Sequence, residues 1–298
     1  MSEAFAVDIS QYQGATDYPQ LAAQIHGAIC RASIGIQDDL LFDTHWAGLT
    51  AQGRPVGAYH YLIDDINGVW QAETFLTQLE GRTPQVWNGA AWVPGYVLDV
   101  EDNSAGLSPS ALAARIKAFI LTVKAARPEL AAVIYTRGYF WNDNVGLSEL
   151  AFFATLLLWI ARYTSLSAPW GNAGDQAKLR PAPWFDWVLW QFSADGNNQG
   201  DEFGVSSDDI DLDRLKNAPP LPPVIPPPPG GDKLGKCVAV VTFRAYPVVA
   251  DCTKQRMTII GEPFVILGER TICGHSWWNV EDQGGVKGWC VKSGVVVL

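Results

Sequence analysis

The 298-residue chain has no stretch long and apolar enough to span a bilayer. Its most apolar segment, Ala151 to Ala161, holds eleven residues and stops at Arg162, about half of the roughly 20 that a spanning helix requires. It reads as buried core, and no membrane insertion is expected. The start, MSEAFAVDIS, has neither a basic leader nor a following apolar run, so no secretory signal is expected and the chain is assigned to synthesis in a cytoplasm. No C-x-x-C pair occurs, which removes the usual zinc-ligand spacing. No internal repeat of about 20 to 50 residues is apparent, which removes solenoids and propellers. Charged residues are scarce, 17% against 48% apolar, and that balance excludes disorder over the whole length. No metal and no cofactor are expected.

What charge there is divides unevenly. Residues 1–231 carry 25 Asp and Glu against 13 Lys and Arg, a balance of −12, whereas residues 232–298 carry 6 against 8, a balance of +2. An acidic body is a poor partner for nucleic acid, whose phosphates need clustered Lys and Arg. Cysteine follows the same boundary: Cys30 stands alone in the long part, and Cys237, Cys252, Cys273 and Cys290 fall in the short one. Four cysteines allow three pairings, and the compartment decides between disulfides and thiols. Between the two parts runs PPLPPVIPPPPGG, eight prolines in thirteen residues. Proline fixes φ and lacks the backbone donor, so the segment predicts an extended spacer of about 40 Å rather than a helix or central strand. The expected organisation is a large domain over 1–218, a linker over 219–231 and a small domain over 232–298.

In the large part, apolar or β-branched runs alternate with amphipathic stretches, the pattern of an α/β fold with crossover helices. Strands are predicted at Phe5–Ser10, Gly27–Ile34, Pro55–Leu62, Tyr96–Glu101, Ala131–Thr136, Leu157–Tyr163, Trp187–Phe192 and Asp209–Leu212. A helix is predicted between the fourth and fifth, where Leu112, Ile116, Phe119, Ile120 and Val123 recur at three- and four-residue steps behind Ser108 and Pro109. Eight strands imply a closed β/α barrel, and because the stretch from Tyr163 to Trp187 is short for a full crossover, an irregular one.

Barrel enzymes work where strands end, and carboxylates gather at those places: Asp8 near the end of the first strand, Asp99 and Glu101 at the end of the fourth, Asp211 in the last. Asp99 and Glu101 are two apart, so on a strand they share a face with Cβ atoms about 6.6 Å apart. Like charges that close resist joint ionisation, which raises one pKa toward the range of a general acid. Solvated strand-end acids are the plainer reading of that pair alone. Aromatic and amide groups, Tyr59, Tyr61, Tyr135, Trp159, Trp190 and Gln191, fall near the same ends, and aromatic faces beside acids suit a sugar ring. Core packing is the competing explanation for Trp159 and Trp190, as it is for His60.

The ordered motifs Asp8-Ile9-Ser10, Val56 to Tyr61, Val97 to Glu101, Ile134 to Thr136, Leu158 to Tyr163, Trp190 to Ser193 and Ile210 to Asp213 resemble glycoside hydrolase family 25, the Chalaropsis-type lysozymes. The resemblance implies an irregular β/α barrel that hydrolyses the β-1,4 bond between N-acetylmuramic acid and N-acetylglucosamine in peptidoglycan. It makes Glu101 the general acid, Asp99 its partner, and Asp8 and Asp211 the acids that orient the pair. From their place near the strand ends, Tyr61, Tyr135, Trp159, Trp190 and Gln191 are expected against the substrate. Two departures stand out: Cys30 to Gly35, where the family commonly has a lysine and a different turn, and an apparent insertion at Gln85 to Pro94 carrying Trp87 and Trp92. Both are expected near the substrate groove. Carboxyl spacing leaves retaining and inverting routes open; a route assisted by the substrate's own acetamido group is favoured.

Residues 233–298 show short alternating runs at Val238–Phe243, Met257–Ile260, Phe264–Leu267, Trp277–Val280, Gly288–Val291 and Val295–Leu298, without helical period. They predict a small all-β barrel that resembles bacterial Src-homology-3-like wall-binding modules. The whole then reads as a monomeric, phage endolysin-type muramidase released to the wall by host lysis. A noncatalytic wall binder on a hydrolase scaffold is the first alternative, opposed by the four acids; a chitinase-like glycosidase is the second, opposed by the residues preceding Asp99. A calcium loop at Asp208, Asp209, Asp211 and Asp213 lacks the following glycine and glutamate that such a loop requires.

Overall fold

The computed structural model describes residues 5–163, 180–194 and 200–218 in full, and beyond them the backbone of seven strands between Lys233 and Val297. The chain divides into two compact units at Ile225 and Pro226. Residues 219–232, which include the expected spacer, lie outside the described residues.

The first unit runs β1 (Phe5–Ile9), α1 (Tyr18–Ala22), β2 (Ala28–Ile34), β3 (Gln37–Asp38), α2 (Phe42–Ala51), β4 (Val56–Tyr61), α3 (Gly68–Gln78), β5 (Gln85–Trp87), β6 (Trp92–Asp99), α4 (Pro109–Ala126), β7 (Ala131–Arg137), α5 (Gly138–Asn144), α6 (Leu150–Phe153), β8 (Leu157–Ala161), β9 (Leu189–Ser193) and β10 (Asp211–Leu215). Eight strands close a barrel in the order β1, β2, β4, β6, β7, β8, β9, β10, and β10 returns to β1. Every neighbouring pair from β1 through β9 is parallel, as the crossover pattern predicts. The last strand is the exception, since β10 is antiparallel to both β9 and β1. The connection from Ser193 to Asp211 contains no helix among its described residues, and a strand that reverses direction needs no helical crossover.

The predicted helix forms as α4. The Ser108 hydroxyl accepts from the Ala111 N–H, Pro109 takes the first helical position, and Leu112, Ile116, Phe119, Ile120 and Val123 are buried. It packs closely on α3. A Cβ on Gly68 would lie 2.3 Å from the Arg115 carbonyl oxygen, so any larger residue there would push the two helices apart.

Strand β6 begins at Trp92, four residues before its predicted start, because Trp92 to Pro94 pair with β5 in a hairpin. This is the apparent insertion, and the structure corrects its expected position. Residues preceding a barrel strand lie at the end opposite its acids: Trp87 Nε1 donates to the Lys216 carbonyl beyond β10 at 2.8 Å. The Trp92 ring crowds Gly27 just before β2, 2.5 Å from where a Cβ would stand. The hairpin therefore closes the floor of the barrel and does not border the acid mouth.

Two apolar clusters sort the strand residues by alternation. Ala6, Ile29, Val97, Val133, Leu189 and Leu215 belong to the cluster inside the barrel. Val7, Cys30, Ala58, Leu98, Ile134, Ile160 and Trp190 belong to the cluster between barrel and helices. Trp190 is thus not a substrate residue, contrary to expectation. It is fully buried against Trp187 and Phe192, with its indole N–H donated to the Arg162 carbonyl at 2.9 Å. Adjacent strand residues face opposite ways, so with Gln191 inside the barrel Trp190 must lie outside it. His60 is likewise core, held by Ser33 Oγ at 2.8 Å and Gln71 Oε1 at 3.1 Å and stacked on Phe119. Burial lowers its pKa to about 4, so it remains neutral.

The described residues of the second unit are all in β-strands. Strands β11 (Lys233–Cys237), β12 (Thr242–Arg244), β13 (Lys254–Met257), β14 (Pro263–Ile272), β15 (His275–Asp282), β16 (Lys287–Val291) and β17 (Val295–Val297) form one antiparallel sheet in the order β13, β12, β16, β15, β14, β11, β17. Its longest pair joins Phe264 to Asp282 and Ile272 to His275. Among the described residues no pairing links β13 to β17. The predicted runs at 264–267, 277–280, 288–291 and 295–297 fall in strands, β11 was not predicted, and residues 238–241 and 258–260 lie outside the described residues. So do Cys252 and Cys273, and with them any pairing of the four cysteines.

Replacing Trp190 with Ala should destabilise the first unit by about 3–5 kcal/mol, the range for truncating a buried Trp. Trp190→Phe should leave KM for glycan unchanged. Denaturant unfolding and steady-state kinetics check both, and a raised KM in the Phe variant with unchanged stability would return Trp190 to the substrate site.

Candidate active site

The barrel interior turns from apolar to polar along four of its strands. Inward positions step from Ala6 to Asp8 on β1, Ile29 to Arg31 on β2, Val97 to Asp99 on β6, and Leu189 to Gln191 on β9. Where these series end, a pocket of about 270 Å³ opens. It is lined by all four predicted acids, Asp8, Asp99, Glu101 and Asp211, and by Tyr61, Tyr135, Trp159 and Gln191. Eight of the nine predicted site residues meet there, and Trp190 does not. Asp211 arrives by a different path from the one expected. It opens β10 instead of ending a strand, and it reaches the mouth because β10 runs antiparallel, opposite Asp8 in register.

The segment carrying Glu101 is pinned to its neighbours just past the end of β6. Leu62 N–H donates to the Asp99 carbonyl at 3.0 Å and Val100 N–H to the Tyr135 carbonyl at 2.9 Å. The Thr136 hydroxyl donates to the Val100 carbonyl at 2.7 Å. With Val100 fully buried between them, Asp99 and Glu101 keep the alternation of the strand and both face the pocket. Asp99 is the deeper of the two at 6% exposed, and the Glu101 side chain is 18% exposed, 3.0 Å from Arg137 Nη2.

A chain of hydrogen bonds crosses the floor of the pocket. The Tyr135 hydroxyl donates to Gln191 Oε1 at 2.6 Å, and Gln191 Nε2 donates to Asp8 Oδ2 at 2.8 Å. The carboxyls of Asp211, opposite Asp8 in register, and of Asp213 interact electrostatically with Asp8, and Asp213 Oδ2 is buried without a hydrogen-bond partner. Trp159 Nε1 donates to Asp213 Oδ1 at 2.8 Å. Five carboxyls therefore share one poorly solvated space. Burial is the largest influence on each, because a low-dielectric site disfavours the charged form. Burial raises Asp8 to about 6, and the hydrogen bond from Gln191 keeps it from going further. Burial, followed by the neighbouring charge of Glu101 for Asp99 and of Asp8 for Asp211 and Asp213, raises these three well above the carboxylate range. Glu101 is raised by burial, and the Arg137 guanidinium opposes the rise. Near neutral pH the cluster retains protons that free carboxylates would have lost, and it can both donate and accept them.

Three contributors escaped the sequence reading. Arg137 lies two residues beyond Tyr135 on the same strand face, so the spacing that linked Asp99 to Glu101 also pointed to it. Asp213 stands in the same relation to Asp211, and it is fully buried. Arg31, within the first departure from the family pattern, does line the pocket. It pairs with Asp39 at 2.8 Å and lies 4.9 Å from the centre of the Tyr12 ring. Among the described residues no group of three or more His, Cys, Asp or Glu is arranged to hold a metal ion.

A family model for the glycosyl hydrolases family 25 matches residues 7–201, which include three of the four acids. Among solved structures, the chain is similar to a bacterial lysozyme from Streptomyces coelicolor, at 25% identity and a TM-score of 0.56 over 76% of this chain and 98% of that one. It is also similar to a family 25 lysozyme from Aspergillus fumigatus, at 25% identity and a TM-score of 0.55 over 73% and 95%. The catalytic domain of an endolysin from bacteriophage P40 of Listeria monocytogenes shares the fold at 21% identity, with a TM-score of 0.52 over 72% and 94%. No curated protein sequence matches.

Buried His60 and His45, both lowered, favour the fold as pH rises, and the five raised carboxyls, which outnumber them, act in the opposite sense. A group whose pKa is higher folded than unfolded stabilises the fold below its unfolded value, and that contribution is lost as pH rises through the folded value. For Asp8 this window runs from 3.8 to about 6, and the more strongly raised neighbours extend it upward. Thermal unfolding of the first unit should therefore show a midpoint a few degrees higher at pH 5 than at pH 7.5. Asp213→Asn should raise the pH 7.5 midpoint and reduce the difference. A wild-type midpoint that climbs from pH 5 to pH 7.5 would contradict the assignment.

Proposed function

The chain belongs to glycosyl hydrolases family 25, and from that membership we propose how its buried acids divide the work of cutting peptidoglycan. It is a muramidase, a glycoside hydrolase of the lysozyme class. Its bond is the β-1,4 linkage from N-acetylmuramic acid to N-acetylglucosamine. The observation that carries the division of roles is the contrast between a deep acid and a shallow one at a single strand end.

Glu101 is the general acid. It sits at the mouth with a raised pKa, so it holds a proton for the departing glycosidic oxygen, and Arg137 keeps that proton loose enough to leave. Asp99 lies deeper, and its Oδ1 is buried without a hydrogen-bond partner. A carboxylate oxygen left in that state is matched by a donor on the substrate, and the acetamido N–H of the muramoyl residue is one. As the acetamido oxygen attacks the anomeric carbon, the bond to the leaving oxygen breaks and positive charge grows on that nitrogen. Asp99, protonated in the free enzyme, stabilises that charge after the substrate N–H and the growing charge favour its ionised form and its proton passes to water. Glu101, now ionised, takes a proton from the water that reopens the ring. Asp8 and Asp211 set the charge and orientation of the pair. Tyr135, Trp159 and Gln191 are buried and hold the acids in place, leaving the half-buried Tyr61 to meet the sugar.

The wider biology is part of the same reading. The antiparallel β unit of residues 233–297 supports a Src-homology-3-like anchor, which would concentrate a monomeric enzyme on its wall. The fold shared with the endolysin of bacteriophage P40 supports a phage endolysin-type enzyme released by lysis.

Peptidoglycan digested by the wild type and reduced with borohydride should yield reduced N-acetylmuramic acid by mass spectrometry. Glu101→Gln should lose about 10²- to 10⁴-fold in rate, the usual worth of a general acid. Reduced N-acetylglucosamine instead would overturn the bond assigned. Proton NMR should show the β-anomer first, and an initial α-anomer would rule out the acetamido route. Deleting residues 219–298 should abolish pelleting with cell walls; unchanged pelleting would refute the anchor.

A further inference from the structure

Beside the acid pocket lies a second and larger cleft of about 500 Å³, lined by Arg137, Tyr139, Asn142, Arg162, Tyr163 and Arg180. Its charge runs against its surroundings. Residues 1–231 contain 13 Lys and Arg against 25 Asp and Glu, yet three of those cations face this one cavity. Among the described residues, two of the three are paired weakly or not at all with carboxylates. Arg180 reaches Asp186 only at 3.4 Å, and Asp186 is also engaged by Lys216. Arg162 has no carboxylate partner among the described residues. Exposed rings flank them, Tyr139 at 68% and Tyr163 at 48%, and the Arg137 guanidinium lies 5.7 Å from the centre of the Tyr163 ring.

The cleft is continuous with the catalytic mouth. Tyr163 lines both cavities, and Arg137, on the cleft wall, contacts Glu101. Guanidinium forks beside aromatic faces and an amide match a planar carboxylate in geometry as well as charge. Resting on the muramidase reading, the substrate supplies such groups at a defined place. The muramoyl residue whose C1 is attacked must sit beside Glu101, and its lactyl ether carries a peptide branch bearing carboxylates. Those carboxylates cannot lie over five buried acids, and the arginine cleft is the adjoining space of opposite sign. We infer that this cleft is a binding site for the carboxylates of the peptide stem on the muramoyl residue being cleaved.

The test is steady-state kinetics of the full chain on two soluble uncrosslinked glycans, one bearing peptide stems and one stripped of them by an amidase, which leaves a free lactyl carboxylate. Arg162→Gln/Arg180→Gln should raise KM on the stem-bearing glycan about tenfold, the effect of losing one good charge-assisted contact, with kcat within about twofold. On the stripped glycan KM should change less than about twofold, and added salt should weaken wild-type but not variant binding of the stemmed glycan. Arg162→Lys/Arg180→Lys, which keeps the charge, should recover part of the loss and excludes misfolding as the cause. An equal loss on both glycans would keep the carboxylate site but assign it to the lactyl group. Unchanged KM on both would overturn the inference while leaving the muramidase reading intact. A wild type that cuts neither glycan would instead overturn that reading.

Discussion

Five carboxyls in one poorly solvated barrel mouth are the constraint around which the first unit is arranged. Leaving them all ionised would cost far more than a domain of this size has in net stability. The structure avoids that cost by keeping protons on the cluster, where burial and the mutual charge of Asp8, Asp211 and Asp213 raise their pKa values, and by placing cations at the edges, with Arg137 against Glu101 and Arg31 beside the pocket. Catalysis draws on the same arrangement. Acids that retain protons near neutrality can donate them, and a buried acceptor such as Asp99 Oδ1 waits for a donor carried by the substrate.

The topology serves this cluster. A regular barrel of parallel strands brings only strand ends to its mouth. Reversing β10 brings a strand start there instead, so that Asp211 and Asp213 enter the barrel from above and meet Asp8 from β1. The apolar layer beneath, with Ile29, Val133 and Leu189, and the Trp87–Trp92 hairpin at the floor seal the opposite end. Among the described residues, the acids line a pocket that opens at the mouth, where Glu101 stands.

Much of this was legible in the sequence because two rules, strand alternation and the gathering of polar residues at strand ends, act locally. They found Asp8, Asp99 and Glu101, and α4 was readable from its cap and its three- and four-residue steps. Asp211 was found with the wrong strand direction behind it, because direction depends on what the strand pairs with. Trp190 failed by the rule that should have excluded it, since its neighbour Gln191 could not face the same side. Arg137 and Asp213 were within reach of the two-residue spacing. The floor position of the hairpin was not, because nothing in Gln85 to Pro94 states which end of the barrel it closes. Its place is fixed by distant partners, Gly27 and Lys216. The arginine cleft was equally hidden, because Arg137, Arg162 and Arg180 come together only through the packing of β7, β8 and the segment before β9.

The central claim is that burial holds several of these acids protonated near neutral pH. Carbon-13 NMR of Asp and Glu side-chain carboxyls, followed from pH 3 to pH 8, measures this directly when resonances are assigned with Asp99→Asn, Asp211→Asn and Asp213→Asn. The account predicts that at least these three titrate above the ordinary carboxylate range, with Asp8 near 6. If all five lose their protons below about pH 5, as free carboxylates do, the cluster is solvated and ionised and the account is wrong.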